Sequence, residues 1–321
     1  MQEHDSERMH LLLQVATLYY EQGLTQEEIA RRVKLSRSNV SRLLSQAREQ
    51  GVVEIRVRRP VPTVPALESK LKSTFDLAEA HVLAGGMRST DVTLRDVGTL
   101  AAEQIRDHLH DGMVLSVGWG KALYETVHAF RPASVRQVDV AQMMGGLGAF
   151  NPYMDGNELA RHLAEALDAR LYYLSAPYLV ESAAMRDALM QERDIRLVME
   201  MARNADLAIV GLGSVRPELS GLLRAGYLTE NDLRTIAEAG AVGDICGQYI
   251  DIHGRVCELE LYRRIITIDL PSLLAMKRLV AVAAWREKAP VILGALRGGF
   301  VDILITDEAA AQEVLHLTET T

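Results

Sequence analysis

The sequence predicts an α/β protein in two parts, a small helical domain followed by a large domain built on a mostly parallel sheet. Three observations predict it. The chain has 321 residues, too long for one ordinary domain at about 100–200 residues each. From about residue 78 onward, short apolar runs alternate with amphipathic stretches, the pattern of right-handed βαβ units. The formal charge of −8 is also unevenly spread. Residues 31–59 carry nine basic side chains (Arg31, Arg32, Lys34, Arg37, Arg42, Arg48, Arg56, Arg58, Arg59) against Glu49 and Glu54, a local net of +7 that leaves −15 on the other 292. A small basic module joined to a large acidic body is the consequence.

Composition narrows the class further. With 48% hydrophobic and 24% charged residues the chain is neither disordered nor collagen-like. Its two cysteines, Cys246 and Cys257, build no disulfide framework and suit a reducing compartment. The opening MQEHDSERMH is too acidic and polar for a secretory signal, and no apolar run approaches the roughly 18 residues of a membrane span. A cytoplasmic protein with no membrane partner is expected.

In the N-terminal part, Leu11, Leu12, Val15, Leu18 and Tyr19 make one apolar stripe on a helix over Arg8–Gln22, stopped by Gly23. Thr25-Gln26-Glu27-Glu28 is a capping box that starts a second helix running to Val33. After the Lys34-Leu35 corner, Ser36 caps a third helix to Gln50. Val40, Leu43, Leu44 and Ala47 face inward on it, and Gly51 ends it. Val52–Val57 alternates with period two and reads as a short strand. Pro60, Pro62 and Pro65 then stiffen a linker, and Pro65–Phe75 reads as a connecting helix whose Leu67, Leu71 and Phe75 face either a second subunit or its own large domain. The expected division is 1–59, a connector over 60–77, and 78–321.

In the large part, Ala80–Leu83, Met113–Val117, Val138–Met144, Leu171–Leu174, Leu207–Val210, Leu279–Ala283 and Ile303–Ile305 read as strands. Val92–His108, Glu158–Leu167, Asp232–Ala239 and Arg286–Leu296 are amphipathic helices between them. This is a Rossmann-like arrangement.

Two short helices at a sharp corner, the second opening on small polar and basic residues, form a helix-turn-helix. Its first turns can enter the major groove of double-stranded operator DNA, where arginine bonds bidentately to guanine and asparagine to adenine. Arg37, Asn39 and Arg42 are the candidates for base edges. Ser36, Ser38 and Ser41 are short enough to donate to phosphate, while Arg31, Arg32 and Lys34 add salt-sensitive attraction.

The stretch LTQEEIARRVKLSRSNVSRLLSQAREQGVVEIRV resembles the helix-turn-helix of the SorC family of sugar-binding transcriptional regulators. VLSVGWGKAL, VAQMMGGLG, LAIVGLGS, VGDICGQYIDIHG and VILGALRGGFVDILITDEAAAQEVL resemble its effector domain in the family's order, covering nearly the whole chain. The resemblance implies a domain folded like sugar-phosphate isomerases, with a sugar, polyol or sugar phosphate in a crevice. It implies a regulator of a carbohydrate operon, most simply a repressor, working as a homo-oligomer on paired half-sites. A sugar-phosphate isomerase with a DNA-binding head is the alternative.

Ligands of open α/β sheets bind beyond the carboxyl ends of the strands. Gly118-Trp119-Gly120-Lys121, Gly145-Gly146-Leu147-Gly148 and Gly211-Leu212-Gly213-Ser214 each follow an expected strand, so their backbone can approach a ligand. Asp244, Asp251 and Gln142 supply polar groups suited to sugar hydroxyls. The resemblance implies that Lys288 faces the effector, since a family lysine follows a Gly-Gly pair by a few residues. Here the pair is Ala284-Trp285, and an indole where bare backbone would approach an anion favours a free sugar or polyol over a phosphate. Trp285 either stacks on a sugar face or fills the pocket, and Trp119 is a second aromatic for such stacking. No GxGxxG or Walker loop supports a dinucleotide or ATP, so no cofactor is expected. Cys246, His253 and Cys257 do not have zinc-ligand spacing, so no metal is expected either.

Overall fold

The computed structural model describes residues 11–49, 52–53, 61–86, 88–131, 135, 137–148 and 155–321. The chain divides into two compact units, Met1–Pro60 and Val61–Thr321.

In the first unit, α1 covers residues 11–16 and runs into a π-helical turn over Thr17–Glu21. α2 spans Gln26–Arg32 and α3 spans Arg37–Glu49. The capping box forms: the Thr25 hydroxyl accepts the Glu28 N–H at 3.3 Å, and the Glu28 carboxylate accepts the Thr25 N–H at 2.8 Å. Leu12, Val15, Leu18, Ile29, Val40, Leu43, Leu44 and Ala47 close one small core. Tyr19, expected on the apolar stripe, is 36% exposed; it sits in the wider π turn, which shifts the helical register. The expected strand Val52–Val57 is described only at residues 52–53, which form a bend. Residues 8–10, 50–51 and 54–57 of the expected elements lie outside the described residues.

The second unit holds a seven-stranded sheet in the order β1-β9-β8-β5-β2-β3-β4, every pairing parallel. The strands are β1 Glu79–Leu83, β2 Val114–Val117, β3 Asp139–Gln142, β4 Arg170–Tyr172, β5 Leu207–Gly211, β8 Leu279–Val282 and β9 Ile303–Asp307. Each expected apolar run is a strand, shifted by no more than two residues at either end. Helices α5 (Thr90–Asp107), α6 (Lys121–Ala129) and α7 (Gly156–Leu167) cover one face. Helices α4 (Pro65–Phe75), α9 (Arg193–Arg203), α13 (Ala289–Arg297) and α14 (Glu308–Thr320) cover the other.

Successive residues of β5 show why such strands read as unbroken apolar runs. Leu207 and Ile209 join the core beneath α5–α7, while Ala208 and Val210 join the opposite core. Both faces are buried, so period-two alternation disappears. Gly98 in α5 lies against the Glu125 backbone of α6, where a β-carbon would come within 2.6 Å of the Glu125 carbonyl carbon. That close approach is why an otherwise helix-weakening glycine sits mid-helix.

Of the expected linker, Pro60 lies outside the described residues, and residues 61–64 and α4 belong to this unit. Val64 N–H donates to the Val82 carbonyl at 2.9 Å and Ala84 N–H to the Pro62 carbonyl at 2.8 Å, so the segment lies along the edge of β1. In α4, Leu71 is fully buried and the Glu68 carboxylate accepts the Val82 N–H at 2.9 Å. The helix therefore packs onto its own domain. Helices α8 (Ala183–Gln191), α11 (Glu230–Glu238, where a helix over Asp232–Ala239 was expected) and α12 (Leu270–Leu274) lie in the connections, and an antiparallel hairpin, β6 (Gly243–Ile245) with β7 (Gln248–Ile250), completes the strands.

Chain direction decides where a ligand can sit. From β2 the chain moves outward through β3 and β4, then returns to β5 on the other flank of β2 and continues to β8 and β9. The loops after β2 and β5 thus diverge, and a crevice opens at their carboxyl ends.

Candidate functional site

In the N-terminal unit, Lys34 adopts a left-handed backbone at φ 56° and makes the corner between α2 and α3. Leu35 N–H closes that corner on the Ala30 carbonyl at 3.0 Å. Ser36 caps α3, its hydroxyl accepting the Asn39 N–H at 3.2 Å and lying 2.9 Å from the Ser38 hydroxyl. Arg42 donates to the Asn39 side-chain oxygen at 3.1 Å, which places two expected base-reading side chains together one turn into α3. Arg31, Arg32, Lys34, Ser36, Arg37, Ser38, Ser41 and Arg42 are all exposed, and Asn39 partly so. Arg37 lies 3.9 Å from Glu27, a solvent-screened contact that phosphate can displace.

In the second unit, a cavity of about 80 Å³ lies at the switch point. Gly118, Trp119, Gly120 and Lys121 enter it from the end of β2, with Gly118 N–H bonded to the Ile209 carbonyl of β5 at 3.0 Å. Gly211 and Gly213 enter from β5, and Ala283, Ala284, Trp285 and Lys288 from β8. Asp244, Cys246 and Gly247 of the β6–β7 hairpin cover it, and Arg224 enters from the short helix α10 (Gly221–Arg224).

Lys288 is the central charge. It is 8% exposed and donates to the Leu212 carbonyl at 2.6 Å. Burial lowers its pKa to about 8; the Asp244 carboxylate opposes that shift and Arg224 adds to it. Asp244 is pushed up by burial, with the Gly247 N–H, at 2.8 Å, and Lys288 holding it back. Its carboxylate lies directly against Gly213, where a β-carbon would collide with it. Burial also lowers the pKa of Arg224. Lys121 pairs with the exposed Asp91 at 3.6 Å and lies 5.9 Å from the Trp285 ring centroid. The cavity wall thus holds three cationic side chains and one carboxylate.

Trp285 has φ 85° and ψ 141°, a conformation that costs a non-glycine residue roughly 1–3 kcal/mol. Two hydrogen bonds hold it: its N–H to the Asp307 carboxylate at 2.6 Å and its indole N–H to the Thr90 carbonyl at 3.1 Å. Trp119 packs edge-on to Tyr178 with centroids 6.2 Å apart, and its indole N–H and the Tyr178 hydroxyl have no hydrogen-bond partner in the described protein.

The remaining expected effector residues lie outside the cavity wall. Gln142 is fully buried and bonded on every side: it donates to Met144 O (2.9 Å) and Asn157 Oδ1 (2.7 Å) and accepts from Leu174 N–H (3.0 Å). It ties β3 to its neighbours. Gly145 and Gly146 let the chain pass closely by Pro177 and Asn157, and Gly148 turns it at φ 68°. Asp251 accepts the His253 and Arg255 N–H groups at 2.9 and 2.8 Å, which organises a turn. Arg224, Cys246 and Gly247 were not expected in the wall: α10 is too short for a periodic signal, and Gly247 lies in a hairpin of three-residue strands. Among the described residues no three His, Cys, Asp or Glu side chains come together as a metal site, and no helix is long and apolar enough to cross a membrane.

A helix-turn-helix unit and a charged, glycine-walled cavity at a sheet switch point define a ligand-responsive DNA-binding regulator. Comparison with known proteins agrees. The Sugar-bind family model, a sugar-binding domain, matches residues 60–316, and the model for region 4 of sigma-70 matches residues 13–50. The deoxyribonucleoside regulator of Bacillus subtilis (strain 168) is 32% identical over 97% of this chain and 99% of its own length. The transcriptional regulator LsrR of Enterobacter sp. (strain 638) is 35% identical over 96% and 93%. The crystal structure of the full-length sorbitol operon regulator SorC from Klebsiella pneumoniae superposes with a TM-score of 0.72 at 28% identity, covering 96% of this chain and 99% of that one. The chain belongs to the SorC family of sugar-binding transcriptional regulators.

Proposed function

We propose that the chain is a cytoplasmic repressor of a carbohydrate or polyol catabolic operon, released from or tightened on its operator by a small effector in the switch-point cavity. Residues 1–59 read DNA, 60–77 connect, and 78–321 sense the effector. The observation that carries this is the cavity wall itself: backbone from three strand ends, with Lys288, Arg224 and Lys121 set against Asp244.

That wall revises the expected ligand chemistry. Trp285 speaks for a free sugar or polyol, but its N–H is already committed to Asp307, and Arg224 adds a cation that composition alone did not place there. Three cations against one carboxylate favour an effector with an anionic group, while Asp244 suits its hydroxyls. The relatives named for deoxyribonucleosides and for sorbitol bracket the class from sugar to polyol. They are named as regulators, which supports sensing over isomerisation.

On DNA, one helix-turn-helix reads only a few base pairs, so a homo-oligomer on paired half-sites is the physical expectation. Arg37, Asn39 and Arg42 read bases; Ser36, Ser38, Ser41, Arg31 and Lys34 hold phosphates. The effector acts by binding one arrangement of the subunits more tightly. The experiment is operator affinity of the full chain at fixed salt, titrated with sugars, polyols and sugar phosphates. A shift with one chemical group supports the reading, and an affinity unmoved by all of them overturns it.

A further inference from the structure

Beside the effector cavity lies a second, open hollow of about 450 Å³, over the carboxyl ends of β1 and β9. Gly85, Thr93, Asp307 and Gln312 line it. Among the described residues, Trp285 alone belongs to the walls of both. Trp285 is therefore a partition, with the charged cavity on one side and the open hollow on the other.

The partition is held in place. Trp285 keeps a backbone conformation that glycine adopts freely and bulky residues avoid. Its N–H is fixed to Asp307 at the end of β9, its indole N–H to Thr90 at the start of α5, and the Lys121 ammonium lies over its ring. The end of β9 thus fixes the backbone, and the starts of α5 and α6 hold the side chain, at a position whose backbone favours glycine.

We propose that Trp285 is the specificity-determining residue of the effector site, confining the effector to one monosaccharide-sized unit and barring ligands that extend over β1 and β9. This rests on the proposed sensing of a sugar-type effector. It goes further in naming the size class and the residue that sets it. Glycine at this position would relieve the backbone and join the two spaces, so longer ligands, a disaccharide or a sugar phosphorylated at both ends, would then fit.

The test uses the full chain, its Trp285→Gly variant and its Trp285→Phe variant, with thermal shift and operator affinity as readouts. The compact probes are ribose, ribose 5-phosphate and glucose 6-phosphate. The extended probes are trehalose 6-phosphate and fructose 1,6-bisphosphate. The wild type responds to compact probes only. Trp285→Gly gains at least tenfold in affinity for an extended probe relative to a compact one, and Trp285→Phe, which keeps a ring in the wall, retains the wild-type preference. Should Trp285→Gly unfold, Trp285→Leu shortens the wall and is expected to move the preference in the same direction. If the wild type binds compact probes and neither small variant changes the extended-to-compact ratio, the partition is overturned while sugar sensing stands. If the wild type binds extended probes as well as compact ones, the partition is likewise overturned. If no protein responds to any probe, the sugar reading falls and the partition with it.

Discussion

The Lys288 ammonium donates a 2.6 Å hydrogen bond to the Leu212 carbonyl, so a buried cation at the start of α13 is anchored to the chain leaving β5. Burial holds its pKa near 8, below the ordinary 10.5 that applies in the unfolded chain. Between these values the unfolded chain keeps a proton that the folded one has released, so this group makes stability rise with pH through the window. Below about pH 8 the folded state carries the net cost of keeping this ammonium charged, on the order of 3 kcal/mol. Lys288→Met is expected to flatten that rise. Denaturant unfolding of both proteins from pH 7 to 10.5 checks it, with the difference between the curves isolating Lys288 from the other lysines and tyrosines. Parallel curves would place the proton elsewhere.

Two glycines separate a structural role from a sensing one. A methyl group at Gly145 would strike the Pro177 backbone, which cannot give way locally. Gly145→Ala is expected to cost about 1–3 kcal/mol of stability. At Gly213 the methyl would strike the Asp244 carboxylate, a side chain of the cavity wall. Gly213→Ala should displace that carboxylate and weaken effector binding at least tenfold with a smaller loss of stability. Unfolding curves alongside effector titrations distinguish the two. Equal stability losses with effector binding intact would remove Asp244 from the sensing role.

On the DNA side, Arg42 and Asn39 share a hydrogen bond while Lys34 makes the corner between α2 and α3. Arg42→Ala should lose about 1–3 kcal/mol on operator DNA and little on random DNA, as a base contact does. Lys34→Ala should weaken both equally and lower the salt slope by about one. Titrations at several salt concentrations on both DNAs read this directly. Equal loss on both DNAs for Arg42→Ala would make it a phosphate contact.

The fold was legible where burial is two-sided. The runs at Leu207–Val210 and Leu279–Ala283 are apolar because both sheet faces are covered, and such unbroken runs stand out from the amphipathic stretches between them. The recognition helix was equally legible through its Ser36 cap and its Val40, Leu43, Leu44 and Ala47 stripe. The site was only partly so. A glycine-rich loop marks a strand end, but not whether the glycine lines a cavity, as Gly118 does, or meets a neighbouring backbone, as Gly145 does. Polarity at a strand end likewise does not give direction: Gln142 turns into the sheet and Asp251 into its own turn. Arg224 lies on a four-residue helix with no periodicity to mark it, and the hairpin that carries Asp244 pairs only three residues on each strand. The positive φ of Trp285 cannot be read from tryptophan itself, which avoids it; the Gly-Gly pair that the resemblance places at Ala284-Trp285 is the pointer to it.

The central claim is that occupancy of the switch-point cavity changes the grip of the N-terminal unit on DNA. Operator affinity of the full chain at fixed salt, measured with and without a saturating sugar or sugar phosphate that stabilises the protein, tests it most directly. Allosteric coupling of about 1–3 kcal/mol predicts a change of roughly 5–150-fold, with an equal change in effector affinity when operator is present. An effector that raises the unfolding temperature yet leaves operator affinity the same within twofold would contradict it.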